Sequence, residues 1–194
     1  VISLGGQATG SVARLPVVVI MGISGSGKTT IGQVLARRMG CPFQEGDDLH
    51  QPESIDKMRL GHPLDDADRE PWLERVAAWL AARDAADEAG VISCSALKHR
   101  YRDRIRRSGA DVRFVFLDPP EATLRQRITG RSNHFIPLSL LESQIEALER
   151  PDAAEQALRL TGEEDVETQC DRICAWLEGR GDVSAAEKEA GDVA

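Results

Sequence analysis

The segment "VVVIMGISGSGKTTIGQVLARRMG" sets five consecutive apolar residues, Val17 to Met21, directly before a glycine-rich turn and a helix-like repeat. Three valines and an isoleucine favour an extended strand, and a run apolar at every position predicts burial on both faces. Such a strand needs other elements above and below it, which places it inside a layered α/β sheet. The turn reads Gly22, Ile23, Ser24, Gly25, Ser26, Gly27, Lys28, Thr29, the Gly-four-residues-Gly-Lys-Thr spacing of a Walker A phosphate loop. Glycines let successive backbone N–H groups converge on phosphate oxygens, and the following helix adds the positive end of its dipole. Lys28 supplies a mobile charge for the β- and γ-phosphates, and Thr29 a hydroxyl ligand for Mg²⁺. The candidate nucleotide-binding residues are Gly22, Ser24, Gly25, Ser26, Gly27, Lys28, Thr29 and Thr30.

Short apolar runs alternate with longer helical patterns through the rest of the chain. Further strands are expected at Pro42 to Glu45, Val91 to Cys94, Arg113 to Leu117 and in "LRLTG". Helices are expected after the loop through Met39, in the stretch "LDDADREPWLERVAAWLAARDAADEAG", at Glu121 to Thr129, in "PLSLLESQIEALER" and in "DVETQCDRICAWLEG". In the first of the long ones, acidic residues and Pro71 mark the start, and Gly90 the stop. Trp72, Val76, Trp79, Leu80 and Arg83 fall on one helical stripe. The expected fold class is α/β, a P-loop three-layer α/β/α domain with a parallel sheet of five strands. Residues 1–14 read as a flexible N-terminal segment, 15–178 as a single domain and 179–194 as a disordered acidic tail.

A chain of 194 residues can bury a sizeable core without disulfides. Its four cysteines lack paired CxxC spacing, although Cys170 and Cys174 stand one helical turn apart; they read as thiols in a reducing cytoplasm. No basic, apolar leader opens the chain, and the Val17–Met21 run is far short of the roughly 20 apolar residues that span a bilayer. The expectations are a cytoplasmic location and no membrane partner. A net charge of −8 argues against a general nucleic-acid binder but leaves room for a local anion pocket.

A Walker A loop does not name the acceptor, since ATPases, GTPase switches and small-molecule kinases share it. No Asn-Lys-x-Asp motif follows, which disfavours a GTPase. Asp118, ending "RFVFLD", could be a Walker B carboxylate, although a strand followed by a Pro-Pro turn accounts for it better. Asp47 follows the second strand, where α/β sheets bind ligands. It is placed either to take a proton from an acceptor hydroxyl or to hold Mg²⁺ through water; an Asx-type turn residue is the alternative. The basic stretch "KHRYRDRIRR" beside a strand end suits a small anionic substrate better than nucleic acid on so acidic a chain.

Together, "MGISGSGKTT", "EGDDLHQPESIDKM", "GHPLDDADREPWL", "CSALKHRYRDRIR" and "GRSNHFIPLSLLESQIEALERP" resemble the gluconate kinase family, P-loop carbohydrate kinases of the nucleoside-monophosphate-kinase-like fold. The resemblance covers nearly all of Val17 to Pro151. It implies ATP-dependent phosphorylation of D-gluconate at the 6-hydroxyl, with Mg²⁺, and a homodimer. It implies a small helical lid near residues 125–140, with Arg127 and Arg131 meeting the transferring phosphate and His134 and Phe135 in its "HF" element. Lys28, Asp47, Arg127 and Arg131 are then the catalytic candidates, Asp47 as the base. His50, Arg69, Lys98, Arg102 and His134 join Asp47 as candidates for contacting gluconate, and Arg is suited to gripping a carboxylate in bidentate fashion. Two departures stand out: Asn133 replaces the usual lid glycine, and Ile145 replaces an aromatic in "SQFxxL". A shikimate-kinase-like or other hydroxy-acid kinase is the nearest rival. A non-catalytic nucleotide-binding module and a nucleic-acid end kinase are the more distant ones.

Overall fold

The computed structural model describes residues 16–129 and 138–179. Five strands, β1 (Val17–Met21), β2 (Phe43–Glu45), β3 (Gly90–Cys94), β4 (Val112–Leu117) and β5 (Leu158–Leu160), form one parallel sheet. Their order is β2-β3-β1-β4-β5, so the strand apolar at every position is also the central one. All five β1 side chains are fully buried. Burying five such residues contributes on the order of 10 kcal/mol, as much as the whole net stability of a typical domain. Met21 pairs in register with Cys94 of β3 and Phe116 of β4, so these three strands end level. The loops that follow β1 and β3 leave side by side, and the Gly22 N–H donates to the Ser95 carbonyl at 3.3 Å.

Seven α-helices cover the sheet and its C-terminal end: α1 (Lys28–Met39), α2 (Pro52–Arg59), α3 (Asp66–Ala85), α4 (His99–Arg106), α5 (Glu121–Thr129), α6 (Leu138–Ala147) and α7 (Val166–Leu177). Strand alternation sorts the core into two layers. Val17, Val19, Met21, Ile92, Phe114 and Phe116 pack against Trp72, Val76 and Leu80 of α3 and Tyr101 and Ile105 of α4. Val18, Ile20, Val91, Val115 and Leu117 pack against Ile31 and Leu35 of α1 and Cys170 and Ile173 of α7. A third cluster lies where the loops meet α5 and α6: Ile23, Leu97, Leu124, Ile128 and Leu141, with Ile145 beside it. Among the described residues no helix is long and apolar enough to cross a membrane.

The expected strands and helices form, with three differences. Helix α3 starts at Asp66, five residues before Pro71, because Asp65 and Asp68 close a capping box on each other's backbone N–H at 2.9 Å. The two satisfied donors set the start, and Pro71 lies inside the helix instead of opening it. Gly90 does not stop α3, which ends at Ala85; it begins β3, where a Cβ would lie 2.7 Å from the Trp79 ring. The run Pro52–Arg59 folds into α2, with Pro52 in the first helical turn where its missing N–H costs nothing. Residues 1–14, the lid segment that includes Arg131, Asn133, His134 and Phe135, and residues 180–194 lie outside the described residues.

Arg102 needs correction. It was expected at the acceptor site, but its side chain is 0% exposed and its donors are engaged inside the protein. The guanidinium forks onto Glu155 at 2.6 and 2.7 Å and donates to the Ala96, Leu97 and Glu149 carbonyls at 2.9–3.1 Å. Arg106 adds a second bridge to Glu155 at 3.1 Å. A buried cation needs this many partners to offset its desolvation, so Arg102 is a structural hub. It ties the loop after β3 to the chain beyond α6. Burial works to raise the Glu155 pKa, but hydrogen bonds from Arg102 and Arg106 outweigh it and hold it at about 2. Since the unfolded glutamate titrates near its ordinary value, this stability is present above about pH 4.5 and is lost as pH falls toward 2. Glu155→Gln should cost about 3 kcal/mol in urea unfolding at pH 7, and the difference from the parent protein should shrink on acidification.

Candidate functional site

The phosphate loop joins β1 to α1 and takes its shape from glycines at two tight points. Gly22 has φ +141°, and a Cβ there would lie 2.5 Å from the Leu117 carbonyl oxygen. Gly27, in the left-handed region, is the residue from which α1 starts. The first turn of α1 carries no acidic residue, so its N–H groups and dipole remain available to an anion. Lys28 Nζ lies back along the loop and donates to the Ile23 carbonyl at 3.1 Å.

Thr29 Oγ1 donates to Glu45 Oε2 at 2.6 Å, and Ser93 Oγ donates to the other oxygen of the same carboxylate. Glu45 ends β2 and was not singled out from the sequence; the signal for it was its place two residues before Asp47 in "EGDD". The Thr29–Glu45 pair is a set of hard oxygen donors of the kind Mg²⁺ prefers. No cluster of three or more His, Cys, Asp and Glu forms a cage among the described residues. A Mg²⁺ ion bound together with a nucleotide would need no such cage, because one or two protein oxygens plus phosphates and water can complete its shell.

Gly46 follows Glu45 and is clamped from both sides. Its N–H donates to Ser93 Oγ at 3.1 Å, and its carbonyl accepts from the Trp72 indole at 2.7 Å. A Cβ on Gly46 would stand 2.0 Å from the Ser93 carbonyl oxygen, so only glycine allows this approach. The clamp sets Asp47 on a short 3₁₀ turn, Gly46–Leu49, with its side chain exposed at the sheet's C-terminal end. Asp47 and Lys28 follow β2 and β1, the two strands that flank the end of β3, where the Cys94 thiol is buried. Burial pushes that thiol up to about 12.

His50 is 7% exposed and stacks on Trp72 with ring centroids 4.6 Å apart. Its Nδ1 is buried with no hydrogen-bond partner. Burial, then Arg69 and Arg75, lower its pKa to about 4, so the ring is neutral at pH 7. Arg69 and Lys98 line a small cavity of about 60 Å³ with Leu64, Leu97, Tyr101 and Gln144. Lys98 Nζ sits 3.0 Å from Asp66, which also accepts from the Tyr101 hydroxyl and pairs with Arg100.

A second cavity, of about 410 Å³, opens on the other flank of the loop. Gly25, Ser26, Gly27 and Thr30 meet Glu164 and Asp165 of the β5–α7 connection and Val166 and Gln169 at the start of α7 there. These last four had no sequence signal, since they lie more than 130 residues away. Arg127 lines this cavity too, donating to the Ser26 carbonyl at 3.4 Å and the Gly162 carbonyl at 3.3 Å. The structure thus puts Lys28, Thr29 and Asp47 at neighbouring strand ends, Arg69 and Lys98 in one small cavity, His50 against Trp72, and Arg127 in the larger cavity on the other flank of the loop.

Two other charged features have structural occupations. Asp118 is nearly buried and bridges Arg150 at 3.1 Å and Arg159 at 2.7 Å, which matches the strand-and-turn reading of "RFVFLDPP". The basic helix α4 is neutralised from within: Arg100 pairs with Asp66, Arg104 with Glu74 and Arg106 with Glu155. It does not present a free basic face.

The family model described as an AAA domain matches residues 17–151. The gluconokinase of Gluconobacter oxydans is 45% identical over 146 residues, covering 75% of this chain and 82% of that protein. Among solved structures, a gluconokinase from Sinorhizobium meliloti matches with TM-score 0.75 and 39% identity, covering 93% of this chain and 99% of that one. An unliganded sugar kinase from Janibacter sp. matches with TM-score 0.80 and 41% identity, covering 89% and 97%. A shared sheet, a Walker A loop with its threonine, and identities above 35% across most of both chains lead to one conclusion: this chain belongs to the gluconokinase family of P-loop kinases.

Proposed function

We propose that the protein transfers the γ-phosphoryl group of ATP to the 6-hydroxyl of D-gluconate, giving 6-phosphogluconate and ADP. One observation carries the reading. In the three consecutive residues Glu45, Gly46 and Asp47, the first holds the Thr29 hydroxyl of the nucleotide loop and the third stands exposed at the sheet's C-terminal end. In this reading one short turn serves both the nucleotide and the acceptor. Positioning of the two reactants, together with neutralisation of charge, is what such a site contributes to phosphoryl transfer.

In this reading the loop amides and Lys28 hold the phosphates, with Lys28 leaving the Ile23 carbonyl to do so. Arg127 grips the nucleotide from the β5–α7 flank, where the 410 Å³ cavity is large enough for a nucleoside. Thr29 and Glu45 would hold Mg²⁺, which would supply neutralisation of charge on the phosphate oxygens. Asp47 orients the sugar-acid hydroxyl and takes its proton. Arg69 supplies the cation for the carboxylate, and Lys98 supports it from across the cavity. His50, uncharged and pressed on Trp72 with its Nδ1 buried, is assigned to the acceptor side by family resemblance. The lid residues Arg131 and His134 are assigned to closure over the transferring group by family resemblance alone, as is a homodimer, which sedimentation would test.

ADP release by the purified protein should be slow with ATP and Mg²⁺ alone and should rise steeply with gluconate, but not with shikimate or glycerate. A rate indifferent to acceptor would favour a plain ATPase. Asp47→Asn should lower kcat by about 10²- to 10⁴-fold with the fold intact by circular dichroism. Near-parental turnover in that variant would remove Asp47 from the base role. Lys28→Met should abolish turnover in the same assay.

A further inference from the structure

Gln144, on α6, touches both halves of the site. Its side-chain Oε1 accepts the Ser24 backbone N–H at 2.8 Å, and the same side chain lines the acceptor cavity with Arg69, Lys98 and Tyr101. Ser24 is the third residue of the phosphate loop, whose backbone donors are what such a loop offers to phosphate oxygens. One N–H cannot bond a carboxamide oxygen and a phosphate oxygen at full strength, so Gln144 and a nucleotide compete for it.

The scaffold around Gln144 is held firmly. Leu141 and Ile145 of α6 pack in the cluster that contains Ile23 of the phosphate loop and Leu97 of the acceptor loop. Beyond α6, the Glu149 N–H donates to the Leu97 carbonyl at 2.9 Å, and the Glu149 carboxylate accepts the His99 N–H at 2.6 Å. The helix therefore keeps its place while the long glutamine side chain can turn about its own bonds. Turned toward the cavity, its carboxamide meets a space where a polyhydroxy acid would present both O–H donors and oxygen acceptors.

We propose that Gln144 is a positioning residue that makes the two substrates bind cooperatively. Its carboxamide holds the Ser24 N–H; a sugar acid in the adjacent cavity engages that carboxamide and leaves the N–H to a phosphate oxygen. The proposal rests on the gluconate kinase reading above for the identity of the acceptor. The coupling is reciprocal, so nucleotide also tightens the sugar acid.

Calorimetric titration with the non-hydrolysable ATP analogue AMPPNP and Mg²⁺, with and without saturating gluconate, tests it on the full chain. Wild type should bind AMPPNP more tightly when gluconate is present. Gln144→Ala should bind AMPPNP alone roughly threefold to tenfold more tightly than wild type, the worth of one hydrogen bond, and should gain little from gluconate. Gln144→Glu should shift the other way, because a carboxylate holds the Ser24 N–H more strongly and repels phosphate. A purely structural role would weaken AMPPNP binding in both variants. That result, or a gluconate effect in Gln144→Ala equal to the wild-type effect, overturns the proposal. If wild type binds AMPPNP but neither responds to gluconate nor phosphorylates it, the acceptor reading fails. The competition is then decided by the AMPPNP-alone comparison of wild type with Gln144→Ala.

Discussion

A central parallel strand buried on both faces leaves no place for a polar side chain until it ends, and much of this molecule follows from that. β1 is apolar from Val17 to Met21, so chemistry begins at Gly22. Parallel neighbours bring polar residues to the same rim: Glu45 at the end of β2 and Asp47 just after it, Ser93 and Ser95 around the end of β3. The crevice at the C-terminal ends of such strands is where α/β sheets take ligands.

Gly46 fixes the turn at the end of β2. It fits against Ser93 because it has no side chain, and Trp72 of α3 holds its carbonyl from the far side. In the proposed reaction Glu45 and Asp47 then have different tasks, one at Thr29 and one at the acceptor. The Arg102–Glu155 hub braces the loop after β3 in a comparable way, fixing Ala96 and Leu97, and Leu97 lines the small cavity with Arg69 and Lys98. Ala96 adopts a left-handed backbone at φ +42°, a strained conformation for alanine that persists because two Arg102 hydrogen bonds reach this segment. A buried ion pair that shapes a binding loop contributes to the site without touching a ligand.

Features set by neighbours in the chain were legible. The β1–loop–α1 unit, the five strands and the Trp72, Val76 and Leu80 stripe of α3 all rest on patterns spanning a few residues. What was misread depended on partners far away in sequence. "KHRYRDRIRR" looks like a free basic helix until Asp66, Glu74 and Glu155 are brought against it. Arg102 looks like a carboxylate ligand for substrate, but its carboxylate is Glu155, 53 residues on. Pro71 looks like a helix start because the stronger signal, reciprocal capping between Asp65 and Asp68, uses aspartate where a glutamate is the familiar partner. Glu45 carried only its place two residues before Asp47, and Gln144 no mark at all, since each makes its contact across the fold.

The sequence by itself determined that the chain binds a nucleotide phosphate at Gly22–Thr29 and that a parallel sheet surrounds that loop. Both follow from local backbone chemistry: glycine spacing, a lysine, a threonine and an uninterrupted apolar strand. Its motif blocks also pointed to the family. Only the tertiary structure decided which charges face the crevice and which are spent inside. An arginine's reach and an aspartate's partner depend on what lies within a few ångströms, and that is settled by packing, not by order along the chain.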